Sequence, residues 1–160
     1  MIDLAGPADN ARLAEAHAAL GLAQALSGSV AAGKAACADA YGIARTLNNQ
    51  DLLSATQLAL AETLLMSHDP SGALQNAIEL QARSNAGKPD SLWRAQLLAA
   101  RAAQALGDKG KASEYAAAAA RTLANIEQGW GADSYTSYLQ RPDIRRNNNQ
   151  LKELLSTSTK

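Results

Sequence analysis

Residues 92–128 read LWRAQLLAARAAQALGDKGKASEYAAAAARTLANIEQ, and this stretch decides the fold. Alanine and leucine supply 18 of its 37 residues, and both rank among the strongest helix formers. Leu106-Gly107-Asp108 interrupts it near the middle and leaves a segment of ordinary helix length on each side. The stretch therefore predicts two helices joined by a tight turn.

The rest of the chain has the same character. Alanine and leucine supply 37 and 23 of the 160 residues, and phenylalanine is absent, so the core must be built from small side chains. All four prolines stand where a helix would begin, a position at which the missing N–H has no helical partner to lose. These signals predict six helices between about residues 9 and 128, a short helix over 132–139 and a final helix over 142–155.

Alanines recur at matched distances from three of the turns. Counted from Ser27, Asp69 and Asp108, one alanine lies eight residues before, one four residues after and one eight residues after each turn. Successive copies are 42 and then 39 residues apart, and we expect these alanines to lie where paired helices cross. The three columns are Ala19, Ala61 and Ala100; Ala31, Ala73 and Ala112; and Ala35, Ala77 and Ala116.

The third copy resembles the tetratricopeptide repeat (TPR), a helix-turn-helix unit with small residues at its helix crossing. The residues that carry this resemblance are Ala100, Gly107, Asp108, Ala112, Ala116 and Ala119. It implies an all-α, TPR-like fold: a right-handed α-solenoid of three antiparallel helix pairs with C-terminal capping helices. The repeats would span about 9–48, 49–88 and 89–128, and the cap 129–160, in a single domain over 1–160.

The C-terminal thirty residues carry a second resemblance. Their pattern consists of Tyr138, Arg141-Pro142-Asp143 and Leu154-Leu155. It is similar to the end of the helical-repeat regions of bacterial serine/threonine kinases and winged-helix regulators, which implies that the chain is the C-terminal arm of a larger signalling or regulatory protein. In physical terms, a last repeat exposes an apolar face that a helix with one polar side must cover.

In TPR-like arrays the first helix of each pair lines a concave face, and this resemblance gives the candidate binding residues. Arg94 and Arg101 form the strongest candidate pair, because residues seven apart share one helix face. The predicted partner-binding residues are His17, Leu20, Gln24, Leu58, Glu62, Met66, Arg94, Leu97, Arg101 and Gln104.

Charge and hydropathy exclude several other functions. Fifteen basic and fifteen acidic residues cancel, so no long-range field gathers nucleic acid. No run of 18 apolar residues is present, and we expect neither a signal peptide nor a membrane span. The single Cys37 cannot form an internal disulfide and is expected to be buried, which fits a cytoplasmic protein.

The motifs that resemble chemical sites are incomplete. Residues 28–35, GSVAAGKA, approach a phosphate-binding P-loop, but Ala35 replaces the hydroxyl residue that would hold Mg²⁺, and Gly33 and Lys34 fall inside a predicted helix. His17 and His68 have no ligand at metal-binding spacing. We therefore predict no catalytic residue, no metal site and no cofactor.

The sequence thus favours a non-catalytic scaffold that binds a protein or a peptide. Two alternatives remain open at this point. One is a small-molecule-sensing domain of a transcriptional regulator, and the other is a homodimerisation module in which a second copy covers the leucines of the concave face.

Overall fold

The computed structural model describes residues 6–84 and 88–157, and the regular structure within these ranges is entirely α-helical. This confirms the predicted all-α class. Residues 1–5, 85–87 and 158–160, which the predicted domain and repeat boundaries include, lie outside the described ranges. The described helices are α1 (Pro7–Leu26), α2 (Val30–Thr46), α3 (Gln50–Met66), α4 (Pro70–Ser84), α5 (Pro89–Ala105), α6 (Lys109–Trp130), α7 (Ala132–Gln140) and α8 (Pro142–Thr157).

The helix starts follow the local signals in the sequence. Each of the four prolines is the first residue of a helix, as predicted. Side-chain caps begin others: the Asn49 Oδ1 accepts from the backbone N–H of Leu52 at 3.0 Å, and the Asp108 Oδ1 accepts from that of Lys111 at 3.0 Å. These bonds satisfy N–H groups that the first helical turn leaves without a partner.

Three of the turns between helices share one backbone conformation. Gly28, His68 and Gly107 have positive φ values of 100°, 60° and 82°. The next residue in each turn donates its N–H to a carbonyl five residues earlier: Ser29 to Gln24, Asp69 to Leu64, and Asp108 to Ala103. This is the Schellman helix ending, in which a left-handed residue lets the chain reverse.

Alignment on these turns corrects the predicted alanine columns in the first repeat. Ala19, Ala31 and Ala35 are exposed, so their predicted place at the crossing is wrong. Ser27 is the C-cap of α1, two residues before the true equivalent of Asp69 and Asp108, which is Ser29. The copies are therefore 40 and then 39 residues apart. The buried columns are Gly21, Ala61 and Ala100; Gly33, Ala73 and Ala112; and Cys37, Ala77 and Ala116.

The chain comprises two compact units, residues 1–76 and 77–160. In the first unit α1 packs against α2, and α3 packs against both. A small apolar cluster of Ala14, Ala44 and Leu52 joins these three helices. The expectation of one domain over 1–160 stays a prediction.

The second unit holds α5 to α8, with α5 and α6 paired. The last helix, α8, packs on both members of that pair, and α7 packs on α6 and α8. We expected an inner stripe of Leu151, Leu154 and Leu155 and an outer face of Arg145, Arg146 and Lys152. Leu151 and Leu154 are buried and Arg145 and Lys152 are exposed, whereas Leu155 and Arg146 are half-buried. The main buried side chains of this core are Trp93, Leu97, Leu123, Ile126, Tyr138, Ile144, Leu151 and Leu154.

Candidate functional site

A hydrogen-bonded chain fixes α7 to α5 in the second unit. The indole N–H of Trp93 donates to the Tyr138 hydroxyl at 2.7 Å, and that hydroxyl donates to the Asp90 carboxylate. Burial raises the pKa of the Tyr138 hydroxyl, and its bond to Asp90 raises the pKa further. The Trp130 ring meets the Tyr138 ring edge-on, with 5.2 Å between the centroids.

Arg94 belongs to this same structural cluster. Its guanidinium lies 3.6 Å from the Asp90 carboxylate and 3.9 Å from that of Asp143, the third residue of the Arg-Pro-Asp pattern. Arg141 also reaches Asp143, at 3.1 Å. Arg94 therefore links α5 to the start of α8, and its neighbour one turn on, Leu97, is buried in the core with 1% exposure.

Arg101 and Gln104, further along α5, lie beside cavities; Arg101 is half-buried and Gln104 is exposed. Gln104 lines two adjoining cavities of about 460 and 290 Å³, and Arg101 lines the smaller one. Both cavities also contact Leu154 and Thr157 of α8, so they form one continuous groove. We call this the α5–α8 groove, lined by Arg101, Gln104, Gly107, Lys109, Ala112, Ser113, Gln150, Glu153, Leu154 and Thr157.

The wall that α8 contributes was missed by the sequence analysis, which assigned this helix only to the cap. Gln150, Glu153, Leu154 and Thr157 line the groove together. Their spacing of three, four and seven residues places them on one helical face. The periodicity of α8 could have revealed this face, but only contact with α5 and α6 shows that it borders a cavity.

The floor and the rim of the groove differ in polarity. Leu154 and Ala112, with 6% and 7% exposure, form its apolar floor and are held in place by the surrounding helices. Gln104, Gly107, Lys109, Glu153 and Thr157 are exposed, whereas Arg101, Ser113 and Gln150 are half-buried, so part of the rim is open to solvent. Such a groove can hold an apolar side chain against its floor and polar groups against its rim.

Two exposed charges of opposite sign border the groove. Lys109, at the start of α6, lines the larger cavity, whereas Glu153, on α8, lines the smaller one. Within the described ranges neither side chain takes part in an ion pair. Arg101 shares the cavity of Glu153 but already takes part in another interaction.

The predicted binding residues of the first unit differ widely in exposure. Leu20 of α1 is 53% exposed, and His17 and Gln24 on the same helix are half-buried. On α3, Leu58 and Glu62 are buried, with 6% and 8% exposure. Met66, at the end of that helix, is half-buried.

The P-loop-like string serves the packing of the first unit. Gly33 and Lys34 lie within α2, as predicted, so their backbone N–H groups belong to helical bonds. Gly33 is buried, as is Cys37 one turn later, and burial raises the pKa of the Cys37 thiol. In residues 6–84 and 88–157 no group of three or more His, Cys, Asp or Glu side chains is placed to hold a metal ion.

None of the helices in the described ranges combines the length and the apolar character that crossing a bilayer requires.

The paired helices, the Schellman turns and the capping α8 define a TPR-like helical-repeat fold. A solved TPR-like protein from Chlorobium tepidum TLS is similar to this chain, with a TM-score of 0.68 and 17% sequence identity. The similarity covers 96% of this chain and 99% of that one, and it shows the fold alone. No protein-family profile matches the sequence, and no curated protein matches it.

Proposed function

We propose that this chain is a non-catalytic scaffold that binds a segment of another protein in the α5–α8 groove. The observation that carries the proposal is the groove itself, with its apolar floor at Leu154 and its exposed rim at Gln104. TPR-like folds typically present such surfaces to protein partners. Two of the predicted binding residues, Arg101 and Gln104, line it.

The size and openness of the groove favour a peptide over a small molecule. Its larger cavity, about 460 Å³, falls within the usual range for ligand sites. A small-molecule sensor, however, normally encloses most of its ligand. Here Gln104, Gly107 and Thr157 are exposed along the rim, so the groove would leave one side of a bound segment in solvent.

A peptide selection with a blocked-groove variant tests the proposal. A random linear peptide library displayed on phage is selected on the immobilised full chain, and enriched peptides are measured by fluorescence anisotropy. Ser113→Trp places a large ring in the larger cavity, whereas Glu114→Trp places the same ring on an exposed position outside it. We expect Ser113→Trp to weaken binding by at least about tenfold and Glu114→Trp to leave it unchanged. Absence of enriched peptides, or equal binding by both variants, would refute the proposal.

A second candidate function is homodimerisation through α1. Leu13 and Leu20 are seven residues apart, hence on one face, and are 41% and 53% exposed. A second copy of the chain could cover both. Sedimentation of the wild type and of Leu13→Ser with Leu20→Ser tests this, because a dimer formed through α1 would be lost in the double variant.

We also infer that the chain is the C-terminal arm of a larger bacterial signalling or regulatory protein in the cytoplasm. The support is the Arg141-Pro142-Asp143 pattern, in which the Asp143 carboxylate pairs with Arg141 and with Arg94 of α5. Sequencing of the reading frame upstream of Met1 tests this inference. A kinase or DNA-binding domain in frame would support it, and a stop codon directly upstream would refute it.

A further inference from the structure

The α5–α8 groove is asymmetric in charge. Lys109 lines only the larger cavity and Glu153 only the smaller one, and Gln104, Leu154 and Thr157 lie between them in the shared part. The larger cavity thus has the cation of Lys109, and the shared part has the apolar Leu154 beside Gln104 and Thr157. The smaller cavity has the carboxylate of Glu153 together with Arg101, which already takes part in another interaction.

Both charges are available to a ligand. Lys109 and Glu153 are exposed, and neither takes part in an ion pair within the described ranges. By contrast, the Lys111 ammonium, in the first turn of α6, lies 3.8 Å from the Asp108 carboxylate, and Arg94 of α5 lies between two carboxylates. Lys109 and Glu153 therefore differ from Lys111 and Arg94, whose charges are already paired with carboxylates of the protein.

The centre of the groove is matched to an uncharged side chain. Leu154 belongs to the core cluster, and Ala112 is 7% exposed, so the floor is fixed and apolar. A charged group placed on this floor would lose its hydration without gaining a partner. An aliphatic side chain there would instead gain from removal of its surface from water.

We infer that the groove selects an extended protein segment that carries an acidic side chain, an aliphatic side chain and a basic side chain in spatial order. The acidic group pairs with Lys109, the aliphatic group covers Leu154, and the basic group pairs with Glu153. This inference rests on the proposed function and adds to it the chemistry and the orientation of the partner. Complementary charges at two ends fix the register of a bound chain more than they add to its affinity.

Charge reversal at each end tests the inference. The probe is the strongest peptide from the phage selection, and the variants are Lys109→Glu and Glu153→Lys in the full chain. We expect each variant to weaken binding about fivefold, which is the upper range for an exposed ion pair, and the loss to shrink as salt is added. Lys152→Glu and Glu114→Lys reverse exposed charges outside the groove and should leave binding unchanged.

Compensating charge changes in the peptide identify which peptide residue contacts Lys109 and which contacts Glu153. Replacement of the peptide's acidic residue by lysine should restore binding to Lys109→Glu but not to Glu153→Lys, and replacement of its basic residue by glutamate should do the reverse. If Ser113→Trp blocks binding while both charge reversals have no effect, the inference is wrong and the proposed function stands. If no peptide is enriched, the proposed function itself fails. A wild-type dimer that Ser113→Trp disrupts would show that a second copy fills the groove and would overturn both.

Discussion

Gly21 of α1 lies directly against Gly33 of α2 at the point where the two helices cross. A Cβ atom on Gly21 would stand 2.7 Å from the Gly33 carbonyl oxygen and 2.5 Å from the Cys37 sulfur. The first repeat therefore makes this close approach with two glycines, whereas the equivalent buried positions of the other two repeats are alanines. This contact gives a packing reason for the glycine within the P-loop-like string.

Substitution of this glycine should destabilise the protein. In Gly33→Ala the new methyl group would stand 2.8 Å from the Ala25 Cβ, so α1 and α2 must separate, at a cost of about 1–3 kcal/mol. Gly42→Ala is the matched control on the same helix, because nothing lies within 4 Å of its added Cβ. The free energy of unfolding of that variant should rise by up to about 1 kcal/mol, because alanine has a higher helix propensity than glycine. Urea unfolding followed by circular dichroism measures both, and equal stability of the two variants would contradict the tight crossing.

Loss of the Tyr138 hydroxyl should loosen the cap. Tyr138→Phe leaves the indole N–H of the fully buried Trp93 without its acceptor, which should cost about 1–3 kcal/mol. Tyr135→Phe is the control on the same helix, since its half-buried hydroxyl makes no hydrogen bond to the described residues. Tryptophan fluorescence during denaturation reports the change. Identical midpoints for the two variants would show that the Trp93–Tyr138 bond does not hold α7 in place.

Stability should also fall in alkali because of Tyr138. Its pKa is raised in the folded protein by burial and by Asp90, so the folded state holds the proton more tightly than the unfolded chain does. This contribution is complete below the unfolded pKa of about 10 and is lost as the pH rises through the folded value. Chemical unfolding at several pH values above neutrality should therefore show that the free energy of unfolding falls more steeply with pH for the wild type than for Tyr138→Phe. Parallel curves would exclude this linkage.

The turn after α3 offers a stabilising substitution. His68 adopts a φ of 60°, whereas the two equivalent turn positions are glycines. Left-handed backbone costs a side-chain-bearing residue about 1 kcal/mol, so His68→Gly should raise stability by up to that amount. His68→Ala removes the same imidazole but keeps the strain, and it should show no gain. A rise in melting temperature for alanine as large as for glycine would contradict the conformational explanation.

The sequence predicted the helices well because their signals are local. Prolines mark four starts, and alanine and leucine fill the segments between. The register of the first repeat was wrong because Ser27 and Ser29 both suit a helix boundary, and only the hydrogen bond from the Ser29 N–H to Gln24 identifies the equivalent residue.

The groove was only half predictable. Arg101 and Gln104 follow from the repeat pattern, but the opposite wall depends on where α8 packs, which is a long-range property. Arg94 illustrates the same limit. Its partner Asp143 lies almost fifty residues away along the chain, so sequence spacing alone could not show that Arg94 links α5 to the cap.

Nuclear magnetic resonance tests most directly whether the α5–α8 groove is the binding site. The selected peptide is added in steps to the isotope-labelled full chain. Binding in the groove predicts that the backbone amide signals of Gln104, Ser113 and Leu154 move together as the peptide is added, while those of Leu13 and Leu20 on α1 stay fixed. Signals that move only on α1, or an unchanged spectrum at saturating peptide, would contradict a protein-binding groove between α5 and α8.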